Sequence, residues 1–347
     1  STDIALEFGL FDRLTGTIEY FKKDSKDLLF DVSQPASVGV TSIIQNIGKV
    51  TNSGVEIELD YNAFKNKDWS VSVGANATFV KNKIKNLPAT MKENGYISGS
   101  KKWLEGKSIY EFWLRQWHGV DPQTGDGLYV ADVSKYNQGN IGTGDGNITQ
   151  SQFDEYKKTV VTIDGKELTN SYTYAKYDFS GSSIPDVYGG FNVRVSYKNF
   201  DLAAVFSYQL GGQILDTNYA TMMSMTEFGY AQSPDLLKAW KQAGDITEVP
   251  RIDNSAAHTT NIGQSYSTRW LTSSDYLNLR SVTIGYQLPK TWLSKVMLKS
   301  ARLNLTAENL FMLKARQGLN PMANYSGVTY NEYMPSRNIT LGLNVSF

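Results

Sequence analysis

The sequence predicts an all-β fold, namely a segment of about nine strands from an antiparallel transmembrane β-barrel with long extracellular loops. Three observations support this prediction. Apolar and polar residues alternate with period two over stretches of about ten residues, the length of a tilted strand that crosses a bilayer. Short and long connections follow one another in strict order along the chain, and aromatic residues gather near the predicted strand ends.

Composition excludes several classes of protein. The 347 residues carry a formal net charge of +0, which gives no bias toward nucleic acid. There is no cysteine, so disulfides and thiolate metal sites are excluded. Mean hydropathy is −0.35, and no apolar run approaches the ~18 residues of a membrane helix. If the chain crosses a membrane, it must do so with strands.

The alternation is clearest in residues 53–63, where one predicted face is apolar and the other is acidic. The apolar set is Val55, Ile57, Leu59, Tyr61 and Ala63, and the polar set is Glu56, Glu58, Asp60 and Asn62. The same period recurs in residues 69–81, 186–198, 301–310 and 337–347. Alternation alone also fits a soluble β-sandwich with one solvated face.

The lengths of the connections favour the barrel over the sandwich. The predicted strands lie near residues 3–11, 14–23, 53–63, 69–81, 186–198, 200–210, 276–288, 301–310 and 337–347. Connections after the odd-numbered strands are short, and those after the even-numbered strands are long. Outer-membrane barrels have short periplasmic turns and long extracellular loops, and a sandwich has no reason to follow this rule.

The predicted organisation has three parts. Residues 1–81 hold the first four strands, residues 82–185 form a large extracellular insert, and residues 186–347 hold five strands with extracellular loops at 211–275 and 311–336. No signal peptide is visible, and an odd number of strands predicts that further strands precede residue 1 in a larger barrel. Polar residues predicted to face a wide hydrated lumen are Glu56, Glu58, Asp60, Arg194 and Glu308.

Aromatic residues of the loops are the candidates for substrate binding. Flat rings beside polar groups stack on sugars or pack on peptides. The candidates are Trp103, Trp113, Trp117 and Tyr325. The alternative is that the tryptophans only anchor folded loops.

Two loop segments carry local motifs. Residues 233–244 predict a short amphipathic helix that begins at the N-cap Ser233 and ends at Gly244. Residues 142–156 partly match a calcium-binding loop, with Asp145 and Asp154 as candidate ligands. Three oxygen-ligand positions of that motif are missing, and Ser151 capping a short helix with Asp154 at position N3 explains the segment equally well. No cofactor other than this calcium is predicted.

Enzymatic chemistry is not predicted. The only histidines, His118 and His258, lie far apart in the sequence, and there is no cysteine nucleophile. No nucleophile elbow or HExxH spacing is present. The chain therefore reads as a non-catalytic protein.

Several motifs in order resemble one known family. The run WLTSSDYLNLRSVTIGYQLPKTWL (270–293) is followed by LNLTAENLF (303–311), GLNP (318–321) and the terminal SRNITLGLNVSF (336–347). Upstream are NIGKVTNSGVEIEL (46–59) and GSSIPDVYGGFNVRVSYKNFDLAAVFSYQLGGQI (181–214). These segments resemble SusC/RagA-type TonB-linked outer-membrane proteins of Bacteroidota, over most of the strand regions and little of residues 82–180. Asn320 stands where that family pattern has an acidic residue, so no role is assigned to it.

The resemblance implies a transporter in the outer membrane of a Gram-negative, Bacteroidota-like bacterium. Such a protein has a plugged barrel of the 22-strand type, imports oligosaccharides or peptides under a SusD-like surface lipoprotein, and draws energy from the TonB complex. The plug and the TonB-contacting segment lie N-terminal in such proteins, so this chain would supply the barrel wall and loops. Its partners would be that lipoprotein, the TonB complex, the substrate and membrane lipid.

The last strand resembles the signal by which the barrel-assembly machinery recognises its clients. The residues that carry this signal would be Leu341, Leu343, Val345 and Phe347. A non-transporting surface-binding or adhesin barrel remains the alternative function, and a soluble carbohydrate-binding sandwich is a third.

Overall fold

One antiparallel ladder of strands forms the frame of the molecule. The computed structural model describes residues 1–33, 39, 42–144, 146–224, 229, 231–253, 255, 258, 261–262, 266–294 and 298–347. Nine strands follow one another in the ladder: β1 (Thr2–Leu10), β2 (Leu14–Ser33), β3 (Ser42–Lys65), β4 (Trp69–Asn86), β5 (Val187–Tyr197), β6 (Phe200–Leu210), β7 (Tyr276–Gln287), β8 (Ser300–Glu308) and β9 (Asn338–Ser346). A short strand, Met312–Lys314, adds to β7. We call this sheet the wall; the predicted antiparallel β-barrel fold class is confirmed.

The connections alternate between the two ends of the wall, as predicted. Tight turns join β1 to β2, β3 to β4 and β5 to β6, and residues 288–299 with helix Lys290–Leu293 join β7 to β8. Large inserts leave the opposite end: the first insert is residues 87–186, the second is 211–275 and the third is 309–337. We call the two ends of the wall the turn end and the loop end.

The register gives the wall one apolar face and one polar face. Ile4, Tyr20, Val55 and Phe79 are directly opposite one another on four successive strands. One residue along, the ladder runs through Glu19, Glu56 and Thr78 on the other face. Because successive side chains of a strand point to opposite sides, this register keeps the apolar sets of the predicted membrane-crossing stretches on one side.

The apolar face is exposed, unlike the core of a soluble protein. The exposed fraction is 65% for Ile4, 47% for Ile284 and 74% for Leu341. A contiguous apolar surface of this size on both middle and outer strands is unstable in water and matches the hydrocarbon of a bilayer. No helix in the described part of the chain is long and apolar enough to cross a membrane.

Three strands are much longer than the sequence predicts. β2 has 20 residues, β3 has 24 and β4 has 18, so most of the predicted loop at 24–52 is paired strand. The first insert therefore begins after Asn86. The pairing has register shifts near Ser25 and Leu28, so apolar and polar residues do not alternate regularly there and the sequence does not indicate a strand. Backbone hydrogen bonds between strands tolerate such irregularities.

The inserts contain the buried core. The first insert sheet is formed by Tyr96–Ser98, Lys101–Trp103, Glu111–Arg115 and Tyr177–Ser182, and the second insert sheet by Trp117–Val120, Gly127–Val130, Val160–Ile163 and Lys166–Thr169. Gln213–Leu215 pairs with Leu271–Ser273. The other helices are Gln150–Thr159 and Thr217–Met222, with 3-10 turns at Ala89–Met91, Gln138–Asn140, Tyr172–Tyr174, Pro234–Lys238 and Thr268–Trp270. One buried cluster joins Phe112, Leu114, Leu215 and Trp270 from the first and second inserts.

Two predicted helix details are wrong. Residues 233–244 form only the 3-10 turn Pro234–Lys238; Ser233 caps it, but Leu237 is 80% exposed. Trp240 follows this turn, and its indole donates a hydrogen bond to the Pro122 carbonyl in the first insert. Helix Gln150–Thr159 is capped by Thr149, and not by Ser151, because Thr149 and Gln152 form a reciprocal capping box.

The two-faced wall predicts that an arginine destabilises the barrel strongly at one position and only slightly at the next. Leu59 lies midway along the apolar face, and Glu58 is on the polar face. We expect Leu59→Arg to destabilise the barrel by about 2–4 kcal/mol, since a cation is then placed in hydrocarbon. Denaturant unfolding of the full-length protein in lipid vesicles measures this change. Glu58→Arg is the matched control and should cost little; equal losses from both substitutions would contradict the two-faced wall.

Candidate functional site

All five predicted lumen residues lie on the polar face. Glu56 and Glu58 are opposite Thr78 and Asn76 of β4, and Asp60 is opposite Gly74. Arg194 is opposite Ser72, and Glu308 is opposite Ser281 and Asn338. Exposed carboxylates require water or cationic partners, so this side of the wall suits a hydrated channel and not lipid.

An ion pair spans the polar face near the turn end. Arg302 on β8 donates a 2.7 Å hydrogen bond to the Asp201 carboxylate on β6, across the intervening strand β7. Gly285 lies between them on β7, and a Cβ there would be 2.2 Å from the Arg302 guanidinium. The missing side chain of Gly285 leaves the space in which the pair lies across three strands.

The first insert folds over the loop end of the polar face. Asn82 lies on that face, and its Oδ1 accepts hydrogen bonds from the Ser108 hydroxyl and the Ile109 amide, both at 2.9 Å. Two residues further along β4, Ile84 is buried with Val50 of β3. The polar face thus becomes apolar where the insert covers it, and this places the insert above the channel side of the wall.

Two of the candidate tryptophans are held inside the inserts. The indole of Trp103 donates to the Ile109 carbonyl at 3.1 Å and packs on the cluster around Ile84. Trp117 contacts Tyr129 edge to face at 5.1 Å, and the Arg269 guanidinium lies over its ring at 4.7 Å. These contacts favour the anchoring role for both rings.

Trp113 belongs instead to a half-buried strip of aromatic rings and cations on the first insert sheet. Its ring contacts Phe179 edge to face at 4.9 Å and stacks with Tyr177 at 6.2 Å. Lys102 lies 4.1 Å over Trp113, and Arg115 lies 4.6 Å over Tyr177. Phe112 and Leu114 point the other way into the core, so strand alternation holds the strip at the surface.

Tyr325 lies apart from Trp113, where the third insert meets the first. Its ring contacts Tyr110 edge to face at 5.2 Å, and its carbonyl accepts a hydrogen bond from the Ser183 hydroxyl. Burial raises the pKa of its phenol to about 12, with the nearby Tyr188 and Tyr110 adding to the shift. The hydroxyl is therefore neutral at physiological pH, and the side chain is still 47% exposed. The four candidate aromatics do not form one site.

The candidate calcium ligands gain no support from the described geometry. Asp154 accepts a hydrogen bond from Gln150 at 2.8 Å within its helix. Asp145 lies outside the described residues. Within the ranges that the structure describes, no group of three or more His, Asp and Glu side chains could hold a metal ion.

A buried ion pair that sequence reasoning missed joins the second and third inserts. The Asp216 side chain is 5% exposed and lies 2.9 Å from the Arg316 guanidinium. Asp216 also accepts hydrogen bonds from the Tyr219 amide and the Thr329 hydroxyl. The Arg316 guanidinium lies 3.6 Å over the Tyr219 ring. The two residues are a hundred positions apart, so only their position in the fold reveals the pair.

The proposed assembly-signal residues share the apolar face of β9. Leu341, Leu343 and Val345 are opposite Leu305, Leu303 and Ala301 of β8. The exposed fraction of Leu343 is 62%, and that of the terminal Phe347 is 81%. An exposed apolar row of this kind can be contacted by another protein.

Comparison with known proteins shows which family the chain resembles. Residues 1–156 match the family model described as TonB dependent receptor-like, beta-barrel. TonB-dependent receptor P3 of Formosa agariphila is 29% identical over 99% of this chain. The first 156 residues are thus similar to the TonB-dependent receptor β-barrel, and the similarity to receptor P3 extends over nearly the whole chain. SusC of Bacteroides thetaiotaomicron is 24% identical over 99% of the chain, and this confirms the resemblance drawn from the motifs.

The structural comparison agrees. The RagAB peptide importer in its closed-closed state superposes with a TM-score of 0.77 and 25% identity over 99% of this chain. This chain covers 35% of that structure and 34% of receptor P3. It therefore spans about a third of the length of the proteins it matches.

Removing Arg316 should loosen the contact between the second and third inserts. Arg316→Met leaves the buried Asp216 carboxylate without its cation, and we expect a cost of about 3 kcal/mol in the stability of these inserts. Limited proteolysis of the full-length protein, with cleavage mapped by mass spectrometry, measures the exposure of residues 211–275. The double variant with Asp216→Asn should recover much of the loss, and a double variant as protease-sensitive as the single one would refute the ion-pair account.

Lys101 predicts how the first insert responds to pH. Its amine donates to the Tyr110 carbonyl at 2.8 Å and lies 3.1 Å over the Phe112 ring. Burial lowers its pKa to about 7 from 10.5. Between pH 7 and pH 10 the amine is therefore protonated in the unfolded insert and mostly neutral in the folded one. The free energy of unfolding of the insert should rise with pH over this range and stay constant below pH 7. Hydrogen exchange of residues 96–115 in wild type and Lys101→Met measures this; an unchanged slope in the variant would disprove it.

Deleting Phe347 should lower the yield of assembled barrel. The deletion removes the last exposed ring of the apolar row on β9. Heat-modifiable mobility of outer-membrane fractions measures the folded amount. Phe347→Tyr keeps an aromatic end and should assemble normally, whereas full assembly of the deleted form would rule out the signal.

Proposed function

We propose that the full-length protein imports oligosaccharides or peptides across the outer membrane of a Bacteroidota-like bacterium, with energy from the TonB complex. In this proposal a SusD-like surface lipoprotein covers its extracellular mouth. The present chain contributes barrel wall and extracellular inserts, and it performs no catalytic step. The observation that carries the proposal is the two-faced wall whose polar side is covered by folded inserts, in a chain similar to TonB-dependent receptors.

The polar face supports passage of a hydrophilic cargo. Its fixed carboxylates and the Asp201–Arg302 pair bind water and polar groups but release them readily because they are exposed. The inserts above it would make the first contacts with cargo. Folded inserts are more selective than mobile loops because their side chains are already positioned.

Trp113 and Tyr325 are the residues we assign to cargo contact. Tyr325 is 47% exposed. Trp113 is half-buried like Trp103 and Trp117, but it belongs to the strip of aromatic rings and cations at the surface of the first insert sheet, whereas Trp103 packs on the cluster around Ile84. The cations beside Trp113 suit carboxylate or sulfate groups of a cargo. The similar RagAB is a peptide importer, and the resemblance to SusC keeps oligosaccharides beside peptides in the proposal.

Growth of a deletion strain tests the import proposal. The strain lacking the full-length gene is grown on oligosaccharides or on peptide mixtures as sole carbon source, with monosaccharides and free amino acids as controls. We expect loss of growth on one of the two polymer classes and none on the small controls. Undiminished growth on every oligosaccharide and peptide would contradict import and favour a surface-binding barrel.

Substituting the assigned aromatic residues should weaken uptake without stopping assembly. Each of Trp113→Ala and Tyr325→Ala removes about 1 kcal/mol of ring contact, or about fivefold in the half-saturating cargo concentration. Uptake of the cargo found by the growth test measures this concentration. Trp292→Ala, at an exposed ring on the turn side, is the matched control; equal effects of all three substitutions would refute the assignment.

A further inference from the structure

A group of lysines interrupts the apolar face of the wall at one height. Lys22 of β2 and Lys81 of β4 both lie opposite Ser53 of β3, and so they share one row. The row directly below is Tyr20, Val55 and Phe79. Lys83 follows in the row above, opposite Thr51. By strand alternation these lysines point to the same side as the lipid-facing rings.

The height of this row matches the edge of the membrane. Residues 71–79 of β4 carry the apolar face from the turn end up to Phe79. At ~3.3 Å per residue and a tilt of about 40°, this stretch covers about 23 Å, close to the ~25 Å apolar band of outer-membrane barrels. Lys81 therefore lies where hydrocarbon gives way to headgroups. On β5 and β6 the last outward pair is the apolar Val187 and Leu210, so the lysines are confined to β2–β4.

No ion pair holds these cations in the part of the chain that the structure describes. Asp24, in the same row as Lys83, accepts a hydrogen bond from Thr51 at 2.6 Å and pairs with Lys49 at 3.2 Å. Lys22 adds only a weaker Coulombic attraction to this carboxylate. Lys22, Lys81 and Lys83 are exposed, and within the described residues they make no ion pair. Three unpaired positive charges beside a hydrocarbon surface attract anionic headgroups.

A groove lies beside the lysine row. Its volume is about 810 Å³, and it opens where β4 continues past the start of β5. Tyr20, Val55 and Phe79 form its apolar part, Lys81 and Lys83 its basic rim, and Ile184, Pro185 and Asp186 its far side. The two lysines outnumber the one carboxylate of the lining, Asp186. An apolar part next to a net cationic rim is complementary to an amphiphile with acyl chains and a multiply charged anionic head.

We propose that this groove and its lysine rim bind a phosphorylated glycolipid of the outer leaflet. The acyl chains pack on Tyr20, Val55 and Phe79, and the phosphates pair with Lys22, Lys81 and Lys83. The inference rests on the outer-membrane orientation in the proposed function, which puts the loop end, and hence this row, at the outer leaflet. A lipid held here would fix the height of the long β2–β4 extension above the membrane.

Native mass spectrometry of the full-length protein tests the site. The protein in detergent is titrated with bisphosphorylated lipid A and, separately, with the same lipid A after removal of its phosphates. Each lysine near an anionic surface adds about fivefold in affinity, so we expect wild type to prefer the phosphorylated form by at least about tenfold. The variant Lys22→Gln, Lys81→Gln, Lys83→Gln should lose that preference.

A matched variant and two further readouts make the result decisive. Lys65→Gln, Lys67→Gln, Lys198→Gln removes three exposed lysines at the turn end and should keep the preference. Heat-modifiable mobility reports folding, and Lys81→Gln alone replaces the triple variant if that fails to fold. We call the Lys22→Gln, Lys81→Gln, Lys83→Gln protein the loop-end variant. The proposed site would be overturned if the wild type did not prefer phosphorylated lipid A, or if the loop-end variant kept that preference. Import by the loop-end variant is measured separately, so that failure of the lipid site is distinguishable from failure of the transport proposal.

Discussion

The backbone ladder of the wall is the interaction on which the rest of the structure depends. In hydrocarbon there is no water to satisfy an unpaired peptide group, so a strand that crosses a membrane must be paired along its length. The antiparallel ladder provides this pairing on both sides of β2 to β8. It also fixes which side of each strand faces lipid, because a slip by one residue would exchange Leu59 with Glu58 or Asp60.

This constraint explains why the buried core lies outside the wall. The apolar side chains of the wall are reserved for lipid, and its other side is polar, so the sheet has no dry interior of its own. Fully buried residues such as Phe112, Leu215 and Trp270 therefore belong to the inserts. The inserts must fold as small domains, and the Asp216–Arg316 pair and the contact of Tyr325 with Tyr110 join them to each other. Under the proposed function, the cargo and the SusD-like lipoprotein would both contact this folded layer.

Sequence alone could predict the wall well but the inserts poorly. Period two sets the faces of Glu56, Arg194 and Glu308 because the strand repeat does not depend on distant residues. The extension of β2 and β3 was missed because strand pairing, and not side-chain pattern, defines it there. The helix predicted at 233–244 is wrong: the chain forms only a 3-10 turn there, and Trp240 contacts the Pro122 carbonyl of another insert in place of a helical neighbour. Asp216 and Arg316 are a hundred positions apart and meet only when the second and third inserts fold against each other. No local sequence pattern indicates this contact.

The most direct test of the two-faced wall is site-by-site labelling along β4. The chain contains no cysteine, so single cysteines can be placed at each position from 71 to 79 in a cysteine-free form of the full-length protein. In membrane fragments whose two sides are both open to solvent, we expect a water-soluble maleimide to label positions 72, 74, 76 and 78. With a spin label attached to each cysteine instead, spin-labelled lipids should broaden the electron paramagnetic resonance spectra at positions 71, 73, 75, 77 and 79. Equal labelling at neighbouring positions, or alternation of the opposite sense, would contradict the account.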